Sequence, residues 1–445
     1  IGLGRLRDLA DMAGGDEIGI NFLSYIGHNA LRREVMGMEQ RAPTPEELQA
    51  MQTLVKEAMD FGTAGLSTGL MYLPGRYAAT EEIIELAKVT ATYGGVYDSH
   101  TRDPVNALLA SHRECLDIAA AAGVDAHPGH IKAVGEKNFG RGPELVAMIE
   151  ARIAGGENIT VDIYPYDGAA AAPVIHLLYP GRDAQGESLM ARMQAASDME
   201  TEDPSTTEQL TVDLRQYWQD VADNEEALAQ AKELTEEPAD SQFSWINTVG
   251  YGSLRIVVSD NPAYEDRLVS ELASELGLDP FELLRRIIAA EGDSAMVTLG
   301  AIQEADVRVI LKRPWTMVSS DGQELEPKHP RGRGTFPRLL GRYVREWKVL
   351  TLEEAVYKIT GLPASYLKLS DRGVLRVGAI ADITVFDPNT IIDRATWAEP
   401  TLFADGVDYV FIKGQAALDN GVLKPQRHGR FIPFRNAANT GVTET

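Results

Sequence analysis

Cysteine is almost missing from this chain: Cys115 is the only one among 445 residues. A single thiol closes no disulfide within the chain, so nothing in the covalent framework requires an oxidising compartment. Long apolar runs are missing as well. No stretch approaches the roughly 18 apolar residues that would span a bilayer. Positive charge is scarce: 42 Lys and Arg stand against 66 Asp and Glu, a net charge of −24. That excess excludes the usual electrostatic footprint of a nucleic-acid or acidic-membrane partner. Internal repeats and low-complexity tracts are also absent. What remains is ordinary for a globular protein, 44% hydrophobic and 24% charged. The length suits one large α/β domain with an accessory unit. The chain opens on Ile1, inside a polar helix-like segment, so upstream sequence is expected to be missing. A leader peptide would then be invisible; the cytoplasm is the favoured compartment.

The residues that are present fall into a cadence of helix, glycine stop, short strand and reactive residue. Ile18 to Ile26 reads as a buried strand ending at Gly27-His28-Asn29. Thr44-Pro45-Glu46-Glu47 is a helix start, with a capping threonine, proline at the first turn and glutamate three residues on. Gly62 ends that helix, and Ala64 to Thr68 makes the next strand. Thr80 caps a second helix, and Val96-Tyr97-Asp98-Ser99-His100 is a strand ending in histidine. A helix to Ala122 leads through Val124 to Gly129 into His130-Ile131-Lys132. Another leads to Ile159 to Ile163 and Tyr164-Pro165-Tyr166. This is the rhythm of a (β/α) barrel. From about Gly181 to Ser244 the texture changes, Met193 to Asp203 bearing Met and acids and Gln219 to Glu237 crowded with Asp and Glu, and two amphipathic helices within an insertion are expected. The barrel texture resumes at Leu254 to Val258 and Ala295 to Leu299. The tail, with Gly373 to Gly378, Ala381 to Pro388 and a strand-and-turn pair of Val407 to Lys413 with Gly414-Gln415-Ala416, is all-β in character.

Trp315 to Gly322 is the stretch around which the chemistry gathers. Thr316, Met317 and Val318 favour a strand, and it stops at Asp321 in a Ser-Asp-Gly turn. A carboxylate at the C-terminal mouth of a parallel strand sits where such folds place their chemistry. His100 and His130 also end strand-like runs. Two imidazoles and a carboxylate suit Zn²⁺, which takes N and O ligands and keeps a position for water. Each histidine alone could equally be a hydrogen-bonded structural residue. His127, before Pro128, reads as a loop residue.

Several stretches together resemble one family. Gly65-Leu66-Ser67-Thr68-Gly69-Leu70-Met71-Tyr72-Leu73-Pro74-Gly75 is similar to a signature of the N-acyl-D-amino-acid deacylases (D-aminoacylases) of the amidohydrolase superfamily. So are Tyr97 to Asp103, Asp162 to Tyr166, Ser320-Asp321-Gly322, His329-Pro330-Arg331 and Gly334 to Tyr343. Gly27 to Arg32 and Ala381 to Pro388 fit too. The resemblance implies a (β/α)8 barrel with a small β-subdomain, one or two Zn²⁺ ions and metal-bound hydroxide attacking an amide. In it His100 and His130 match metal ligands, and Asp321 matches a carboxylate that touches metal and serves as general base, then acid. Arg331 matches the residue gripping the substrate carboxylate; without the resemblance it reads as a surface arginine. Tyr72 and Tyr164 match tyrosines lining the pocket, Tyr164 as oxyanion donor or simply packed. Lys132 could hold a carboxylate or be solvated. His28 and Arg32 receive no role.

Three departures stand out. The superfamily's His-x-His pair has no counterpart here. Cys115 lies mid-helix and is not the family's metal-bridging cysteine. Ala170 replaces a small hydroxyl residue, which bears on substrate specificity. Counting back from Asp321 as strand eight, the first recognisable strand is the third, so two βα units of ~30 residues each are expected upstream. The expected domains are barrel strands 3–7 over 1–180, the helical insertion over 181–250, the remaining barrel with strand 8 over 251–365 and the β-subdomain over 366–445. The expected partner is a small N-acyl amino acid or related amide, with homo-oligomerisation open. Two rivals stay open: a cyclic- or unusual-amide hydrolase on the same scaffold, and a non-catalytic scaffold without metal.

Overall fold

The computed structural model describes residues 2–14, 18–180, 189, 204–237, 244–322 and 329–434. Six parallel strands form its centre: β1 (Ile26–Gly27), β2 (Gly65–Gly69), β3 (Val96–His100), β4 (Asp125–Pro128), β5 (Val161–Ile163) and β10 (Thr316–Val318). β1 to β4 pair in sequence order, a parallel bridge from Ala126 to Ile159 carries the sheet on to β5, and β5 pairs with β10. Helices between successive strands make this a (β/α)8-like barrel core with added β and helical elements. The β2–β3 register requires glycine at 65, because a Cβ there would sit 1.9 Å from the Val96 carbonyl oxygen.

The helix starts follow their sequence signals. Thr44 Oγ1 accepts from the Glu47 N–H at 3.2 Å, and the Glu47 carboxylate accepts from the Thr44 N–H at 2.7 Å. Helix Pro45–Phe61 then buries Met51, Val55, Ala58 and Met59 and stops at Gly62, with φ 114°. Thr351 and Glu354 repeat the device for helix Leu352–Ile359. Thr80 does not act as a cap: it is the first helical residue, and its hydroxyl donates to Glu114 at 2.8 Å.

Between β5 and β10 the chain leaves the barrel. β6 (Gly168–Pro173), β7 (Arg255–Val258), β8 (Arg267–Leu268) and β9 (Met296–Ala301) form an antiparallel sheet in the order β6-β9-β7-β8. Leu254 to Val258 and Ala295 to Leu299 therefore contribute to this sheet and not to the parallel set. A short apolar run fits either environment, and periodicity alone does not separate them. Helices Pro204–Asp220 and Glu225–Glu236 occupy the described part of the acidic segment; Met193 to Asp203 lie outside the described residues.

The tail is a four-stranded antiparallel meander: β11 (Ile383–Phe386), β12 (Val407–Ile412), β13 (Gln415–Asp419) and β14 (Val422–Leu423). Gly373 to Gly378 is turn and coil rather than strand, and its Leu375 and Val377 are solvent-exposed. Of the expected strand from Ile18 to Ile26 only the end is regular. Phe22 instead bridges Phe431, with N–H to the Arg430 carbonyl at 3.0 Å, which ties the tail to the barrel. Asp393 makes a second tie, accepting from Arg338 at 3.2 Å and Arg342 at 2.9 Å. No described helix is long and apolar enough to cross a membrane.

Candidate active site at the barrel mouth

The parallel strands place their C-terminal ends at one mouth, and two histidines meet there. His100 closes β3, and His130 follows β4. His100 Nδ1 lies 2.7 Å from His130 Nε2, and the rings pack edge to face. Burial, reinforced by the Lys132 ammonium, pushes His100 down to about 3 and His130 well below its ordinary value. Both shifts favour the neutral imidazole, the form a nitrogen lone-pair donor needs. The His130 backbone is held in the left-handed region, φ 35°, and its N–H donates to the Asp162 carboxylate of β5.

Asp321 lies three residues past β10 and is also left-handed, φ 43°. Such a backbone is uncommon outside glycine, and in functional sites it marks a residue whose direction matters more than its comfort. The Asp321 carboxylate accepts a 2.9 Å contact from Arg331 Nη1. Burial raises its pKa, against the opposing pull of Arg331 and Lys132. Arg331 also donates to the Ala169 carbonyl at 2.8 Å and stacks over the Tyr164 ring at 4.6 Å. Lys132 sits 5.1 Å from the same ring and donates to the His130 carbonyl at 2.9 Å. Tyr164 is buried, its hydroxyl 3.3 Å from the Ala169 carbonyl, whereas Tyr72 stands at the rim, 4.9 Å from the His100 ring. The mouth therefore carries the His100 and His130 imidazoles, the Asp321 carboxylate and two cations that lie over one tyrosine ring.

Comparison with known proteins decides the family. D-aminoacylase of Alcaligenes xylosoxydans xylosoxydans is 30% identical over 430 residues, 96% of this chain and 73% of that protein. N-acyl-D-glutamate deacylase of the same organism is 31% identical over 427 residues, 96% of this chain and 72% of that protein. The chain belongs to the D-aminoacylase family of the amidohydrolase superfamily. The amidohydrolase family profile matches residues 248–417. The crystal structure of N-acyl-D-glutamate deacylase from Bordetella bronchiseptica, complexed with zinc and a phosphonate mimic of the tetrahedral intermediate, has a TM-score of 0.68 and 30% identity, covering 95% of this chain and 74% of that one. This amidohydrolase is accordingly a hydrolase acting on amide or other C–N bonds.

Two further buried histidines belong to this part of the amidohydrolase. His127 is no loop residue: it lies on β4, buried, in register with Asp98 of β3. Its Nε2 is 3.4 Å from the Asp162 carboxylate and 3.9 Å from that of Asp98, and its Nδ1 is 2.9 Å from Thr160 Oγ1. Burial alone would make His127 harder to protonate, but Asp162 and Asp98 outweigh it and raise its pKa. Asp98 is two residues before His100, and strand side chains repeat their facing every second residue, so period-two alternation was the available signal. His329 was quoted only as part of a motif, yet it is buried against Tyr164, Tyr166 and Trp397.

The donor set suits a divalent ion in part. Two imidazole nitrogens converge, and that is the chemistry Zn²⁺ takes from histidine. Asp321, the third expected ligand, is engaged by Arg331, and among the described residues no three His, Cys, Asp or Glu side chains stand together as a metal-binding group. The structure thus brings His100 and His130 together and places Asp321 with Arg331, Lys132 and Tyr164.

Proposed function

We propose that this amidohydrolase removes the acyl group from N-acyl-D-amino acids, with one or two zinc ions held by His100 and His130 and completed by Asp321. The observation that carries this reading is the pair of imidazoles, 2.7 Å apart, sharing a mouth with the Asp321–Arg331 pair at 2.9 Å. The two Alcaligenes relatives, a D-aminoacylase and an N-acyl-D-glutamate deacylase, support the same substrate class.

When bound, the ion supplies Lewis acidity, lowering the pKa of water toward ~7. Asp321 accepts the proton of the attacking water and returns it to the leaving amine nitrogen, so one carboxyl serves both halves of the reaction. Its burial-raised pKa helps it hold that proton in between. Arg331 receives the free carboxylate of the substrate. A guanidinium grips a carboxylate through two parallel hydrogen bonds, and that fixes the handedness of the α-carbon relative to the scissile amide. Lys132 adds a second cation over the Tyr164 ring. The Tyr164 hydroxyl turns from the Ala169 carbonyl to the oxygen that gains charge as the carbonyl is attacked. Tyr72 covers the rim.

The test is an assay of the full-length protein with measured metal content. N-acetyl-D-amino acids, their L enantiomers, the corresponding amides and cyclic imides form the panel. Turnover confined to D substrates with a free carboxylate, at stoichiometric zinc, is expected. Preference for cyclic imides would move the enzyme to the cyclic-amide hydrolases, and turnover unaffected by chelation would reject the metal.

A further inference from the structure

We propose that His329 is a positioning residue for the Arg331 carboxylate clamp, acting as an imidazole cap that fixes the first residue of the helix carrying it. This rests on the reading of Arg331 as the group that receives the substrate carboxylate. Arg331 opens helix Arg331–Arg338, where the leading N–H groups have no partner within the helix. Ser, Thr, Asp or Asn usually supplies the acceptor, but Pro330 stands at the cap and makes no side-chain bond. His329 takes over: its Nδ1 accepts from the Arg331 N–H at 3.0 Å.

The other ring nitrogen is used too. His329 Nε2 lies 3.1 Å from the Gly168 carbonyl oxygen and donates to it. A carbonyl only accepts, and the Arg331 N–H only donates, so the two bonds together fix one neutral tautomer. The residue next to Gly168 is Ala169, whose carbonyl accepts from the Arg331 guanidinium at 2.8 Å. Two consecutive carbonyls at the start of β6 thus hold the root and the tip of the clamp, one through His329 and one directly. Trp397 closes the arrangement. Its ring centre is 4.2 Å from that of His329, and a Cβ at Gly168 would lie 3.0 Å from the indole, tighter than an ordinary contact. The imidazole is therefore buried, sheltered from water that would compete for both bonds.

The test measures kcat and KM of the full-length, zinc-loaded protein on an N-acetyl-D-amino acid and on its uncharged amide. H329L removes both bonds. Losing one hydrogen-bonded anchor of the clamp is expected to raise KM for the acid about tenfold, with kcat nearly unchanged and the amide unaffected. H329N keeps an acceptor near the Nδ1 position and should restore most of the loss; H329Q, which places its polar group near Nε2, should not. If H329L fails to fold, the order of H329N and H329Q decides, and the reverse order overturns the proposal. A wild type that favours the acid, with equal losses on acid and amide in H329L, overturns the positioning role and leaves the function standing. A wild type that handles acid and amide alike overturns the clamp itself, and this role with it.

Discussion

Two buried clusters of histidine, arginine and carboxylate face different fates in this molecule. At one, Glu82 accepts from His28 at 2.8 Å and from Arg32 at 2.5 Å, with all three side chains almost wholly buried. All three lie on helices, and both carboxylate oxygens are taken. At the other, His100 and His130 face each other, and Asp321 meets Arg331 at a mouth where Asp321 keeps 21% of its side chain exposed. There His130 and Asp321 adopt left-handed backbone. The same residue types therefore build a sealed brace in one place and an open constellation in the other. The difference lies in backbone geometry and in whether the groups point at each other or toward a shared space.

The comparison can be broken most sharply at Asp321. Asp321→Asn should lower kcat by ~10²–10⁴-fold, the range of a lost general acid–base group. Circular dichroism and thermal melting should stay near wild type; comparable turnover in the mutant would remove Asp321 from proton transfer. Glu82→Gln should do the opposite. Breaking a buried pair costs about 3–5 kcal/mol, so denaturant midpoints should fall while the kcat of the remaining folded enzyme holds. A Glu82→Gln protein as stable as wild type would show that the brace is dispensable.

Arg331→Ala should raise KM about 10- to 100-fold for substrates with a free carboxylate, as expected for a charged hydrogen-bonding partner, and spare neutral amides. Equal losses on both would misplace the clamp. The smallest expected effect is in pH. Burial holds the His28 pKa below its ordinary 6.5; for Glu82 burial pushes upward, but the bonds from His28 and Arg32 win and hold it below 4.5. Both groups bind protons more readily when unfolded, so their stability contribution is present above those ordinary values and is lost as pH falls through them. Denaturation curves should show stability declining from about pH 6.5 downward, with a different slope in Glu82→Gln, which loses the carboxylate's own titration and the upward pull it exerts on His28. An identical slope in the two proteins would assign the acid sensitivity elsewhere.

Much of this was legible in the chain because the signals were local. The Thr44 helix start, the glycine stops and the strands leading to His100 and Asp321 are written within a few residues each. The meeting of His100 with His130 followed from the barrel rhythm. The antiparallel partnership of β6, β7 and β9 was not legible, since Val297 opposite Ile256 and Ala172 is a long-range choice that a five-residue apolar run does not encode. His127 was misread because its following proline suggested a loop, although β4 ends at that proline. The meaning of His28 and Arg32 depended on Glu82, some fifty residues away. His329 depended on carbonyls at 168 and 169, which no side-chain pattern announces.

The left-handed residues at 130 and 321 carry a last consequence. A non-glycine residue there costs roughly 1–3 kcal/mol. Breeding this enzyme for heat tolerance alone would thus reward glycine at the two positions the chemistry can least surrender. Thermal hardening and turnover should part company first at these two backbone joints, and stabilising substitutions are better sought at the far end of the barrel.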